Sequence, residues 1–226
     1  MPLKKPVVVA LRASVNQFMN SAETKSFNVW PNITAIVLAA GESRRMGERN
    51  KMELKINGQA LIRQTVSTIL ESNVSEIIVV TGYQPDVVSN LLVGLPVAKV
   101  HNDDYQQGQM SSVHKGLRKI EKSCDGIMIC LGDQPLLSSE DIDHLISAYD
   151  QRPYGSILVP TYNDRRGNPI ILSYEHRNQI LNGESNLGCR KLIEKNPELV
   201  YAFEMKNDHV ITDIDSPDDY ELFKQG

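Results

Sequence analysis

The chain has 226 residues, of which 41% are hydrophobic and 23% are charged, and this composition is typical of a globular protein with a core of ordinary size. Its net charge of -4 provides no general attraction to nucleic acid or to an anionic membrane surface, and no segment is apolar for long enough to span a bilayer. The three cysteines lack metal-ligand spacing, so we expect reduced thiols and a cytoplasmic location.

The first 32 residues differ from the rest of the chain. The apolar stretch at residues 6–11 is too short for the core of a signal peptide and ends at Arg12. Three interpretations stay open for this segment: a translated upstream stretch, a targeting segment or a disordered arm. We therefore divide the chain into a leader of unknown role, residues 1–32, and one domain, residues 33–226.

From residue 33 onward, short apolar runs alternate with segments of helical periodicity. We predict strands at Ile33–Leu38, Glu76–Thr81, Val97–Val100 and Ile127–Leu131. We predict helices between them at Gln59–Glu71, Pro85–Leu92 and Met110–Lys122. The pattern then predicts a helix from Ser138 to Tyr149, a strand near Ile157–Pro160, a hairpin at Pro169–Leu172, and helices from Tyr174 and Ser216. This order predicts an α/β fold with a doubly wound, mostly parallel, Rossmann-like sheet.

The segment after the first predicted strand has the residues of a phosphate-binding loop. It reads Leu-Ala-Ala-Gly-Glu-Ser-Arg-Arg-Met-Gly and continues to Lys51. Its two glycines let backbone N–H groups approach an anion closely, while Arg45 and Lys51 supply positive charge. The loop matches neither the P-loop pattern nor the Gly-x-Gly-x-x-Gly pattern. The alternative interpretation is an ordinary strand-to-helix turn with surface arginines.

Two aspartates occupy positions suited to a metal ion. Asp133 follows the fourth predicted strand inside a tight turn, where ligands of open sheets bind, and Asp215 directly precedes the helix start at Ser216. Magnesium is typically held by one or two carboxylates together with substrate phosphates. The alternative for Asp133 is a turn or cap aspartate. The five histidines are scattered without ligand spacing, and we interpret them as structural or solvated.

Several motifs occur in the order in which one known family carries them. They are the loop from Leu38 to Lys51, Leu-Gly-Asp-Gln-Pro at residues 131–135, Arg-Gly-Asn-Pro at residues 166–169, and Asp-Ile-Asp-Ser-Pro at residues 213–217. Over about residues 33–223 the chain resembles the MobA-like nucleotidyltransferases, and among them the molybdenum cofactor cytidylyltransferases. The resemblance implies Mg²⁺-dependent transfer of a cytidylyl group from CTP to the terminal phosphate of molybdopterin, giving molybdopterin cytosine dinucleotide and pyrophosphate.

The same resemblance implies a set of site residues. The catalytic group would be Arg45, Lys51 and Asp133, with Asp133 and Asp215 holding Mg²⁺. The nucleotide would be bound by Leu38, Ala39, Ala40, Gly41, Ser43, Gly47, Thr81, Gly82, Ser111, Ser112 and Gly132. The acceptor would be bound by Gln134, Pro135, Gly167, Asn168, Pro169 and Arg190.

The resemblance also has open points. The family's usual Gly-Asp-x-Gly-Ala-Arg corresponds to the longer segment at residues 183–190, so Glu184 has no assigned role, and Arg190 faces either the pterin pocket or solvent. Ala40 matches the family's form that uses cytidine nucleotides, whereas glycine there goes with guanosine nucleotides. The alternatives are therefore GTP as donor, another phosphate acceptor, an NADPH-dependent reductase, or a non-catalytic accessory protein. The expected protein partner is an apoenzyme of the xanthine dehydrogenase class or its insertion chaperone.

Overall fold

The computed structural model describes residues 30–47, 50–182 and 189–225. Residues 1–29 of the predicted leader lie outside the described residues. Trp30 packs against the core, and the backbone N–H of Asn32 donates to Oδ2 of Asp125 at 2.7 Å. Residues 30–32 thus contact the domain that follows them.

A mostly parallel sheet forms the centre of the molecule. The strands are β1 (Ile33–Ala39), β2 (Lys55–Ile56), β3 (Gln59–Ala60), β4 (Glu76–Thr81), β5 (Ala98–His101), β6 (Gly126–Leu131), β7 (Ile157–Tyr162), β8 (Arg165–Arg166), β9 (Ile170–Ser173) and β10 (Val200–Glu204). In the described ranges, eight of them form one sheet in the order β10-β7-β9-β6-β1-β4-β5, with β8 paired to β7. Strand β1 pairs in parallel with both β4 and β6, and β5 continues the parallel arrangement. The predicted doubly wound α/β fold is confirmed.

Helices cover both faces of this sheet. They are α1 (Leu61–Glu71), α2 (Pro85–Leu91), α3 (Gln109–Lys119), α4 (Ser139–Gln151), α5 (His176–Asn182), α6 (Cys189–Lys195) and α7 (Pro217–Gln225). Alternate side chains of β1 enter different cores: Ala35 and Val37 pack in the cluster that contains α1 and α4, whereas Ile36 and Leu38 pack in the cluster that contains α3. Because β1 is buried on both faces, its sequence is apolar at every position except Thr34. In the described ranges, no helix has both the length and the apolar character needed to cross a membrane.

Two predictions about local structure are wrong. Residues Gln59 and Ala60 do not begin a helix but pair with Lys55–Ile56 in a small antiparallel hairpin. Its turn consists of Asn57 (φ 50°) and Gly58 (φ 80°), and Asn-Gly is the sequence favoured where both turn residues need a positive φ. This turn sets the start of α1 at Leu61.

The second error concerns the hairpin predicted at Pro169–Leu172. Residues Ile170–Ser173 instead form β9, which lies antiparallel between β6 and β7. The hairpin of this region joins β7 to β8 through Asn163 and Asp164, both at positive φ. An apolar run predicts a buried strand, but neither its neighbours nor its direction follow from the run alone.

Candidate functional site

A pocket of about 400 Å³ lies at the carboxyl ends of β1 and β6. Among the residues that line it, those expected to bind the nucleotide or the metal are Leu38, Ala39, Ala40, Gly41, Lys51, Ser112 and Asp133. Gly108 and Gln109 also line it, at the start of α3. Arg44, one of the basic residues of the predicted phosphate-binding loop, also lines the pocket. Residues that sequence reasoning did not assign to a site complete the lining: Glu42, Met52, Tyr105, Gln106 and Leu131. This position is where open α/β sheets bind their ligands.

The glycine-containing loop is held in place from within. Ser43 adopts a left-handed conformation (φ 55°), and its Oγ accepts a hydrogen bond from the backbone N–H of Lys51 at 3.3 Å. Met46 is buried in a small cluster with Ile214, and Gly47 turns the chain at φ 69°. Ser43 and Gly47 therefore shape the loop. Gly41 faces open space instead, because a methyl group added there would have no described atom within 4 Å beyond those of Gly41 and its two chain neighbours.

Glu42 connects this loop to the far side of the pocket. Its Oε2 accepts a hydrogen bond from Nε of Arg44 at 2.6 Å, and its Oε1 accepts one from Nε2 of Gln106 at 2.8 Å. Hydrogen bonding from Arg44 and then from Gln106 holds the pKa of Glu42 below its ordinary value. The carboxylate is thus an ionised bridge between the two walls.

Lys51 lies between the two aspartates that were predicted as metal ligands. Its Nζ contacts Oδ2 of Asp133, Oδ1 of Asp215 at 3.1 Å and the carbonyl oxygen of Ile214 at 3.3 Å. Burial alone would lower the pKa of Lys51, since its side chain is only 14% exposed, but the attraction of Asp133 and Asp215 outweighs burial and raises the pKa. The ammonium group is therefore charged at neutral pH.

Asp215 also binds the second predicted catalytic cation. Oδ2 of Asp215 lies 3.0 Å from a terminal guanidinium nitrogen of Arg45. The backbone N–H groups of Asp215 and Ser216 both donate to Oδ2 of Asp219, which caps the start of α7. Nearby, burial and then the charges of Asp215 and Asp133 raise the pKa of Asp213. The site thus concentrates acidic groups around Lys51.

Contacts between distant segments bring Asp133 and Asp215 together. The backbone N–H of Ile214 donates to the carbonyl oxygen of Asp133 at 3.1 Å, and Nε2 of Gln134 donates to the carbonyl oxygen of Val210 at 2.9 Å. Next to them, Nδ1 of His209 lies 2.7 Å from Oδ2 of Asp141 at the start of α4. These bonds fix the segment that carries Asp215 against the end of β6.

The residues present fit a divalent metal ion. Oδ1 of Asp133 is buried and has no hydrogen-bond partner in the described part of the chain, although a buried carboxylate oxygen normally has one. Carboxylate oxygens are the ligands that Mg²⁺ prefers, and the ion needs only one or two of them when phosphates supply the rest. Within the described ranges, no group of three or more His, Cys, Asp or Glu side chains forms a complete protein-only metal site. A metal held jointly with a substrate matches this donor set.

Two predicted nucleotide-binding glycines permit close backbone packing. A methyl group on Gly82 would lie 2.7 Å from the carbonyl oxygen of Ala40 and 2.6 Å from Cβ of Tyr105. One on Gly132 would lie 3.0 Å from the carbonyl oxygen of Leu38. These glycines allow the backbone segments behind the pocket wall to pack closely. Direct contact between them and a nucleotide stays a prediction.

The remaining predicted nucleotide-binding residues lie around Asn102, at the end of β5. Nδ2 of Asn102 donates to Oγ of Ser111 at 2.8 Å and to Oγ of Ser112 at 3.0 Å, which fixes the start of α3. Thr81 is buried, and its hydroxyl lies 3.5 Å from the carbonyl oxygen of Val100. Ser112 alone of these serine and threonine residues lines the pocket.

Three of the predicted acceptor-binding residues, Gln134, Gly167 and Asn168, lie around Val210 rather than along the pocket. The carbonyl oxygen of Val210 accepts from Gln134 and from the backbone N–H of Asn168 at 2.8 Å, and it would lie 2.5 Å from a methyl group on Gly167. Pro169 follows Asn168 through a cis peptide bond, and the carbonyl oxygen of Pro135 accepts from the side chain of Gln64. Glu184 and the side chain of Arg190 lie outside the described residues. Acceptor binding by this group stays a prediction.

Sequence reasoning missed the wall formed by Tyr105 and Gln106. A signal was present, because residues 102–112 follow a predicted strand at the edge where ligands bind. Neither residue type is specific for phosphate or metal, so position was the only available indication. The bridge between Glu42 and Gln106 joins residues 64 positions apart and has no sequence signature.

Comparison with known proteins assigns the chain to a family. Residues 35–200 match the family described as the MobA-like NTP transferase domain. The chain is 30% identical to the purine catabolism protein PucB of Bacillus subtilis, with 86% of this chain and 97% of that protein covered. It is 29% identical to the molybdenum cofactor cytidylyltransferase of Escherichia coli, with 85% and 96% covered. It is 27% identical to the nicotine blue oxidoreductase of Paenarthrobacter nicotinovorans, with 82% and 93% covered.

A solved structure agrees with the sequence match. The homologue of Mycobacterium tuberculosis rv0371c from Mycobacterium sp. strain JC1 superposes with a TM-score of 0.74 at 28% identity, covering 85% of this chain and 96% of that one. The fold, the loop after β1 and the acidic residue after β6 therefore occur together in a chain that matches one family over most of its length. This chain belongs to the MobA-like NTP transferase family.

Proposed function

We propose that this protein transfers a cytidylyl group from CTP to the terminal phosphate of molybdopterin, releasing pyrophosphate. The observation that carries the proposal is the ion-paired cluster of Lys51, Asp133 and Asp215, in which Lys51 and Asp133 line the pocket beside the glycine loop and Asp215 contacts Lys51. It provides both a cation for phosphate and carboxylates for a divalent metal, which are the two requirements of nucleotidyl transfer. The similarity to the cytidylyltransferase of Escherichia coli supports the choice of substrate.

The reaction requires the protein to align the reacting phosphates and to neutralise their charge. The attacking group is already a phosphate anion, so the reaction needs no general base, and the main barrier is repulsion between anions. We propose that Lys51 and Arg45 bind the triphosphate oxygens, while backbone groups of Ala40 and Gly41 follow the nucleotide along the pocket. Asp133 and Asp215 would hold Mg²⁺, which neutralises phosphate charge when bound.

We propose that the neighbouring group around Val210 binds the acceptor. Gln134 follows Asp133 in the chain, its side chain and the backbone N–H of Asn168 both donate to the carbonyl oxygen of Val210, and Gly167 packs against Val210. We propose that the acceptor phosphate approaches the metal from this side, with Pro135, Pro169 and Arg190 completing the surface. Because the product is a finished cofactor, its expected destination is an apoenzyme of the xanthine dehydrogenase class or its insertion chaperone.

Ligand-dependent thermal unfolding tests the choice of nucleotide. CTP with Mg²⁺ is expected to raise the melting temperature by roughly 5 to 10 °C, since a ligand at one hundred times its Kd adds about 2.7 kcal/mol of stability. GTP, ATP, UTP and NADPH are expected to produce smaller shifts, and a chelator is expected to remove most of the CTP effect. A larger shift with GTP would contradict the cytidine assignment, and a shift with NADPH alone would favour an NADPH-dependent reductase, the alternative to which the similarity to a nicotine blue oxidoreductase would then lend support.

A further inference from the structure

The carboxylates proposed as metal ligands are bound to the protein's own cations. Lys51 contacts both Asp133 and Asp215, and Arg45 contacts the second oxygen of Asp215. These are the same two cations that the proposed function assigns to the triphosphate. The groups assigned to the metal and the groups assigned to the nucleotide are thus paired with each other in the free protein.

This pairing disfavours the binding of a divalent ion in the absence of a nucleotide. Lys51 and Arg45 offset the charges of Asp133 and Asp215, so the attraction that two unpaired carboxylates would exert on the ion is largely cancelled. The side chains of Lys51 and Asp133 are 14% and 12% exposed, so water screens the repulsion between ammonium and metal only weakly. A divalent ion would have to enter beside a positive charge that cannot move far without losing two ion pairs.

We propose that Lys51 holds the metal position in the free protein, and that a divalent metal enters between Asp133 and Asp215 only when a triphosphate draws Lys51 away. The inference rests on the proposed function, since it takes these two carboxylates as the metal ligands. A triphosphate removes this competition because its oxygens bind Lys51 and Arg45. The carboxylates of Asp133 and Asp215 are then free to bind the metal. Metal and nucleotide therefore bind with positive coupling, and by reciprocity each strengthens the binding of the other.

The exchange also accounts for the oxygen of Asp133 that has no partner in the free protein. In the free protein Oδ2 binds Lys51, while the buried Oδ1 has no partner in the described ranges. When Lys51 leaves, both oxygens become available to the ion, so the unsatisfied oxygen of the free protein is satisfied in the complex. The arrangement keeps the acidic pair neutralised between turnovers without a resident metal ion.

Manganese binding without any nucleotide tests the exchange. Electron paramagnetic resonance of free Mn²⁺ measures its Kd for the wild-type protein, for Lys51→Met and for the second variant Lys51→Gln. We expect both variants to bind Mn²⁺ at least about tenfold more tightly than the wild type, because the competing charge is gone. Lys115→Met is the matched control: Nζ of Lys115 pairs with exposed Asp103 at 3.3 Å, and its removal is expected to leave the Kd unchanged.

A double variant ties the effect to the proposed ligands. Adding Asp133→Asn to Lys51→Met is expected to abolish the gain, and a gain that persists would overturn the inference. If the wild type binds Mn²⁺ as tightly as the Lys51 variants while Asp133→Asn weakens binding in each, the exchange is wrong and the metal site of the proposed function stands. If Mn²⁺ binds to none of these proteins, with or without CTP, both the exchange and the proposed function are contradicted.

Discussion

Asp133→Asn is expected to reduce the rate of cytidylyl transfer by at least about a thousandfold while leaving the fold intact. The substitution removes the negative charge that holds the metal but keeps an oxygen that can accept a hydrogen bond from Lys51. Lys51 also retains its bond to Asp215, so the ammonium group is not left unpaired. Pyrophosphate release at saturating CTP, with circular dichroism to verify folding, measures the effect.

The matched control is Asp103→Asn. Asp103 is exposed and pairs with Lys115 outside the pocket, so the same chemical change there is expected to leave the rate unchanged. Restoring activity to Asp133→Asn with Mn²⁺ in place of Mg²⁺ would still support a metal-binding role. Transfer by Asp133→Asn within about tenfold of the wild type would contradict the assignment of Asp133, because the loss of a residue that stabilises developing charge costs more than that.

Gly82→Ala is expected to lower the free energy of unfolding by about 1–3 kcal/mol, the usual range for overpacking a well-filled site. The added methyl group would lie 2.7 Å from the carbonyl oxygen of Ala40 and 2.8 Å from its Cβ, and backbone cannot move aside as a flexible side chain can. Relief of the contact displaces Ala40, which lines the pocket, so nucleotide affinity is expected to fall as well. Urea denaturation measures the change in stability, and calorimetry with CTP measures the change in affinity.

Gly41→Ala separates packing from binding. Apart from Gly41 and its two chain neighbours, no described residue has an atom within 4 Å of the position that the new methyl group would take, and Gly41 lines the pocket. Stability is therefore expected to stay within about 0.5 kcal/mol of the wild type, while CTP binding weakens because the methyl group occupies space beside the ligand. Equal loss of stability in both variants would contradict the packing described for Gly82.

The sequence predicted the parallel strands of the fold better than the antiparallel strands. Strands β1, β4 and β6 are buried on both faces and separated by amphipathic helices, so their apolar runs were sufficient to locate them. Strand β9 is equally apolar, but its antiparallel insertion between β6 and β7 depends on partners that local sequence does not specify. The hairpin β2–β3 was predictable in principle from its Asn-Gly turn, which the helical periodicity of the following residues obscured.

The candidate site, too, could be predicted only in part from the sequence. The family resemblance implied that Lys51, Asp133 and Asp215 carry the chemistry. The position of Asp133 at a strand end agreed with that role but also allowed a turn or cap aspartate. Their mutual pairing was not predicted, since Lys51 and Asp215 are 164 positions apart and Lys51 was assigned to phosphate alone. Which charges neutralise one another in the free protein is a property of the assembled fold. The pairing of Lys51 with both aspartates is the basis for the proposal that metal and nucleotide bind with positive coupling.

The most direct test of the central claim is a single reaction with the purified protein. CTP, Mg²⁺ and molybdenum-loaded molybdopterin are combined, and mass spectrometry follows molybdopterin cytosine dinucleotide while a coupled assay follows pyrophosphate. We expect equal amounts of both products, formed only when CTP, acceptor and metal are all present. Formation of neither product from CTP, together with turnover of GTP or of a different phosphate acceptor, would contradict the proposed function.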